Sequence, residues 1–128
     1  MSLNEYFNNT EGIGILATSN SDGRVDTALY AKPHFIDEKR CIFLMADKCS
    51  HINIKENPHA SYIFIEKTGN YKGKRLSLTK TKEFVDEELA SQIRKKKHGC
   101  PACDEDKKTF IVYFKVDFVR PLVGDSEK

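Results

Sequence analysis

Lys32, Ser50, His51 and Asn53 are the residues whose types and spacing suggest chemistry. Lys32 places a cation in RVDTALYAKPHF (24–35), among residues that otherwise read as core. Ser50 and His51 lie in KCSHINIKENP, which follows the apolar run CIFLMAD (41–47) and stops at Asn57-Pro58. A helix capped by Ser50 would leave backbone N–H groups free at its start, with Asn53 one turn further on. A cation at a strand end and donors at a helix start make a cradle for a phosphate-like anion. Each residue also has a plainer use. Lys32 before Pro33 can be a solvated strand end, Ser50 a simple cap and His51 a solvated first-turn residue.

A second set is His98, Cys100 and Cys103, in HGCPACDEDKK. A structural zinc site takes four ligands, and this loop offers three, or four with Asp104. No second Cys-x-x-Cys or paired histidine accompanies it. A dithiol redox pair is expected at a helix start beside a βαβ unit, a pattern absent from this sequence. The plainest reading is a loop. Cys49 lies beside a helix start, where a thiolate is favoured, and Cys41 reads as a small core residue. The run Arg94-Lys95-Lys96-Lys97 ends a helical pattern, where positive charge suits the helix dipole; no aromatics are interleaved with it for base stacking.

The elements that must position these residues are mostly strands. Ser2 caps a short helix that lays Leu3, Tyr6 and Phe7 on one face. IGILATS (13–19) is an apolar strand and NSDG (20–23) a hairpin turn. The strand over 24–35 alternates, with Val25, Thr27, Leu29 and Ala31 on one side and Asp26, Ala28, Tyr30 and Lys32 on the other. After the turn DEKR (37–40) comes the strand 41–47, then the short helix and ASYIFIE (60–66). KRLSLTKTKEFV (74–85) alternates strictly, with Leu76 and Leu78 inward. Asp86 caps a helix whose stripe is Leu89 and Ile93, stopped by Gly99, and TFIVYFKVDFVRPLV (109–123) is the last strand. Roughly six strands joined largely by hairpins point to an antiparallel barrel or sandwich in a single domain.

Composition agrees. The 128 residues suit one domain with a modest core that dimerisation would help. A net charge of +2 gives no nucleic-acid footprint, and charged residues, 31% of the chain, are well mixed. No apolar run nears the roughly 20 residues of a membrane span, and MSLNEYFNNTEG lacks a signal peptide's n- and h-regions. A cytoplasmic protein with reduced cysteines is the expectation, without membrane or nucleic-acid partners.

In order and spacing, Arg24 to Glu66, NYKGKRLSLTK (70–80) and VYFKVDFVRPLVGD (112–125) together resemble the pyridoxamine 5′-phosphate oxidase-like, FMN-binding split β-barrels. The resemblance implies a mainly β fold with six to seven antiparallel strands and short helices. It also implies an FMN cofactor at the interface of a homodimer, and a flavin-dependent oxidoreductase whose small-molecule substrate and electron donor are unassigned. Carried over by position, the first flavin strand gives Thr27, Tyr30, Ala31 and Lys32. The next strand and its exit give Met45, Ala46, Asp47, Lys48, Ser50 and His51. Arg75 matches a position that in the family reaches the flavin edge, sometimes from the other subunit. This chain departs from the family where Cys49-Ser50-His51 replaces patterns like Ser-Arg-Lys and where Thr27 replaces an arginine. It has no Trp and no Arg/His-rich substrate segment near its end, which points away from the oxidase reaction itself. Two other classes stand beside this reading. One is a non-catalytic module that stores or senses flavin; the other is a metal-stabilised interaction domain built on His98, Cys100 and Cys103.

Overall fold

The computed structural model describes residues 2–46, 49–85, 88 and 109–124. The elements are α1 (Leu3–Asn9), β1 (Gly12–Ser19), β2 (Val25–Leu29), β3 (His34–Phe35), β4 (Arg40–Ala46), α2 (Cys49–Glu56), β5 (His59–Glu66), β6 (Gly73–Phe84) and β7 (Thr109–Pro121). The Ser2 hydroxyl accepts from the Glu5 amide while the Glu5 carboxylate accepts from the Ser2 amide, closing the expected cap of α1 as a capping box. That sets Phe7 into the core, stacked on Phe35 at 5.6 Å between ring centroids and edge-on to Phe64 at 5.1 Å. The hairpin between β1 and β2 also forms as read. Asn20 Oδ1 accepts from the Asp22 and Arg24 amides, and Gly23 takes the positive φ that the turn needs.

The strands pair antiparallel in one seven-stranded sheet, ordered β2-β1-β5-β6-β7-β4-β3. Its first and last members, β2 and β3, are joined by residues 30–33 alone. Six strand spacings of about 4.8 Å would hold the edges of a flat sheet roughly 29 Å apart. The chain from residue 29 to residue 34 reaches at most about 18 Å. The sheet therefore curls into a barrel, split where β2 gives way to β3.

This corrects the single strand expected over 24–35. Pro33 has no amide donor and a fixed φ, so the ladder cannot run through it, and the chain leaves one edge of the sheet to join the other. The Tyr30 amide still donates to the Gly14 carbonyl at 3.0 Å. The Tyr62 phenol then donates to the carbonyls of Tyr30 (3.4 Å) and Ala31 (3.3 Å). Gly14 makes this possible, because a Cβ there would overlap the Tyr62 hydroxyl.

The barrel interior is filled by Leu16, Phe43, Met45, Tyr62, Phe64, Leu76, Leu78, Val112 and Phe114, with Ile54 of α2 and Phe7 closing it. Leu76 and Leu78 point inward, as their alternation predicts. A second correction concerns α2. It begins at Cys49, so Ser50 sits inside the first turn and is not its cap. Of the expected helix from Asp86 only Glu88 is described, as helical; the rest of it, the basic run and the His98/Cys100/Cys103 loop lie outside the described residues. Among the described residues no helix is long and apolar enough to cross a membrane.

Gly14→Ala is expected to lower stability by about 1–3 kcal/mol, the usual cost of forcing an added methyl into a filled site. Urea unfolding measures it, and an unchanged midpoint would show that the Tyr62 contact does not fix this corner.

Candidate functional site

The predicted residues fall into two groups on opposite faces of the sheet. On the inner side, α2 packs against β1, β2 and β4 and carries Ser50, His51 and Asn53, all buried. The Ser50 hydroxyl hydrogen-bonds the Tyr30 phenol; burial pushes that phenol above its ordinary pKa, the Ser50 bond works against this, and the nearby Asp26 charge adds to it. Asn53 donates to the buried Thr18 hydroxyl at 3.0 Å, tying α2 to β1. Met45 is a core residue, 1% exposed. Ala46 ends β4, and Asp47 and Lys48 lie outside the described residues.

His51 is enclosed rather than solvated. Its Nε2 lies 2.7 Å from Glu83 Oε2 on β6, and its ring stacks on Phe110 of β7 at 3.8 Å. Lys80 pairs with the other oxygen of Glu83. Burial alone would raise the Glu83 pKa, but the hydrogen bonds and charges of Lys80 and His51 outweigh it and hold the carboxyl below its ordinary 4.5. No local pattern announces Glu83 in the sequence, because its partner is 32 residues away. Thr18 gave no signal beyond a polar residue in an apolar strand.

Lys32 donates to the Thr10 carbonyl at 3.0 Å, and Thr10 is the C-cap of α1. A lysine placed on a helix's last carbonyls favours that end of the dipole. Ala31 is exposed, and its carbonyl accepts from Tyr62.

Thr27 and Arg75 belong to the second group, on the outward face. Directly opposed residues in antiparallel pairs share a face. One row across the sheet is therefore Leu29, Ile15, Ile63, Arg75 and Arg120. The next is Thr27, Ala17, Ser61, Ser77 and Phe118. Val25, Leu29 and Phe118 are 73%, 71% and 68% exposed, and Ile13 and Ile65 lie exposed on the same face. Arg75 donates through Nε to the Pro121 carbonyl at 2.9 Å and through its terminal nitrogen to Gly124, which holds it along the sheet. The sequence showed the alternation of Val25, Thr27 and Leu29 but not which side faces out. Two open concavities, at the Asn20–Arg24 turn and between the Asp37–Arg40 turn, Thr81 and Lys115, contain none of the predicted ligand residues.

No protein-family model matches this chain, and no curated protein matches it by sequence. Solved structures do. HupZ of Group A Streptococcus superposes at TM-score 0.73 with 17% identity, over 98% of this chain and 95% of that one. An FMN-binding protein from Syntrophomonas wolfei subsp. wolfei gives 0.71 and 16%, over 94% and 83%. An F420 reductase gives 0.66 and 20%, over 94% and 98%. The fold is the split β-barrel of the pyridoxamine 5′-phosphate oxidase-like proteins. At these identities the likeness speaks for the fold, which agrees with the strand count and pairing expected from the sequence resemblance.

The depressed pKa of Glu83 has a pH consequence. Folded, Glu83 resists the proton that the unfolded chain accepts near pH 4.5, so its contribution is present above that pH. It is lost as pH falls through the lower folded value. Urea unfolding over a series from pH 6 to pH 3 should show a shallower fall for Glu83→Gln than for wild type. Parallel curves would remove Glu83 from the account of α2.

Proposed function

We propose that this protein is an FMN-binding flavoprotein, active as a homodimer with the flavin at the subunit interface, and a flavin-dependent oxidoreductase acting on a small molecule. The observation that carries the reading is the outward face of β2-β1-β5-β6-β7. It offers an apolar platform in Ile13, Ile15, Leu29, Ile63 and Ile65, with Arg75 and Arg120 next to Ile63 in the same row and Phe118 beyond Ser77. Contiguous exposed apolar surface of this kind marks an interface or a ligand site. FMN asks for a flat apolar support, donors for its polar edge and cationic or N–H groups for its phosphate. The platform suits the ring, and Arg75 and Thr27 are donors on the same face. Arg120, paired with Arg75 on that face, is a second cation for the phosphate. An FMN-binding protein and an F420 reductase with this fold support a flavin or deazaflavin as the ligand class.

Bound flavin would supply hydride and electron transfer, while the protein supplies orientation, electrostatics and exclusion of water. A second copy laid on the apolar face would exclude water from the ring. Reconstitution tests this reading. Protein mixed with FMN and desalted should retain about one flavin per subunit, and reduced nicotinamide should bleach it. A flavin that is retained but not bleached by any reductant or substrate would make the protein a flavin store or sensor. A flavin that washes through would contradict the reading.

Phe118→Asp is expected to yield a monomer that loses FMN. Its unfolding midpoint should fall towards that of the dissociated, flavin-free wild type, because partner and ligand both bind the folded state. Light scattering and flavin fluorescence measure the two effects. A dimer that keeps its flavin would move the interface elsewhere.

A further inference from the structure

His59, Thr79 and Asp117 form a hydrogen-bonded chain on the outward face that the flavin reading does not use. His59 opens β5, where the Asn57 side chain accepts from its amide at 3.0 Å and fixes the strand start. Opposite it on β6 is Thr79, whose hydroxyl lies 3.2 Å from His59 Nδ1. The same hydroxyl donates to Asp117 Oδ2 at 2.5 Å. Asp117 reaches Thr79 because of a bulge: Ser77 pairs with Phe118 and Leu78 with Val116, so Asp117 is the extra residue of β7. A bulge re-aims a side chain in this way, and bulges are over-represented beside active sites. Lys115 Nζ stands 3.8 Å from the other carboxylate oxygen.

The direction of the chain fixes the histidine. A threonine hydroxyl has one proton, and here it is committed to the carboxylate, so the hydroxyl can only accept from the imidazole. Neutral His59 must then carry its proton on Nδ1. Its Nε2 lone pair is exposed and has no partner among the described residues. The order is carboxylate, hydroxyl, imidazole, with the base end outward. It stands one row, about 7 Å along the strand, from Ser61, Ser77 and Phe118, and two rows, about 14 Å, from Ile15, Leu29 and Ile63.

We propose that His59 is the proton-transfer residue of this face, with Thr79 and Asp117 as its positioning residues. This rests on the flavin reading above. Reduction of a polarised double bond by reduced flavin needs one hydride and one proton. Bound reduced flavin would supply the hydride to one atom of the acceptor, and the Nε2 proton of the His59 imidazolium would go to the other. His59 is left neutral with its proton on Nδ1, and water returns a proton to Nε2. The substrate class implied is a small oxidised molecule with a carbonyl- or imine-like double bond.

Long-range 15N–1H correlation spectra of the full-length protein, at a pH where His59 is neutral, test the relay whether or not flavin binds. Wild type and Thr79→Ser are expected to show His59 protonated on Nδ1, while Thr79→Val shifts it to the Nε2-protonated form. Nε2 protonation in wild type, or a Thr79→Val spectrum like wild type, would overturn the proposal. Addition of FMN to saturation should then move the His59 ring resonances and leave its tautomer unchanged. Retained flavin with unmoved His59 resonances would overturn the placement of His59 at the flavin, though not the flavin reading. Flavin that is not retained would instead sink the flavin reading, and with it the role of His59 in that reaction, leaving the relay to be judged by its tautomer.

Discussion

The link from Tyr30 to Pro33 is the constraint on which the rest of this structure depends. It ties together the two strands that stand at opposite ends of the sheet order, and it is too short for any arrangement but a closed one. Its corner is held by main-chain and side-chain bonds from two other strands, through the Gly14 carbonyl and the Tyr62 phenol. Once the sheet closes, the inner residues of every long strand meet in one core. The outer residues of β2, β1 and β5, with Arg75, Ser77, Phe118 and Arg120, are left as a broad face with no described element packed across it, while outward Ile111 further along β7 is buried with Ile42 of β4. That exposed face follows from closure and is what the functional reading rests on.

The polar residues beneath α2 illustrate a second consequence. Ser50, His51 and Asn53 have side chains suited to an anion, yet each is engaged inward, by Tyr30, by Glu83 and Phe110, and by Thr18. A buried polar group left without a partner costs about 1–3 kcal/mol, so these contacts lock the helix in place. Lys32 is drawn in the same way into capping α1. Arg75 keeps its position on the outward face while two carbonyls hold its side chain along the sheet.

Much of the fold was legible because local signals agree with the global answer. The capping box at Ser2 and Glu5, the Asn20–Gly23 turn and the alternation of Leu76 and Leu78 each act within a few residues and appear as read. The break between β2 and β3 was signalled only by Pro33. Alternation continued through residue 32 and outweighed the proline, while the competing force, closure of the barrel, involves strands far away in sequence. The site was less legible for the same reason. Residue type marked Ser50 and His51, but burial by Glu83 and Phe110 depends on β6 and β7. His59, Thr79 and Asp117 are ordinary strand residues until the register and the bulge set them in line.

Sedimentation velocity of FMN-loaded protein, followed at the flavin absorption band and at the protein band together, asks whether ligand and dimer occur together. The flavin boundary should travel with a dimer, at about one flavin per subunit, and dilution to monomer should release it. Flavin that sediments with a monomer, or a dimer that sediments without it, would contradict the placement of the ligand on the shared outward face.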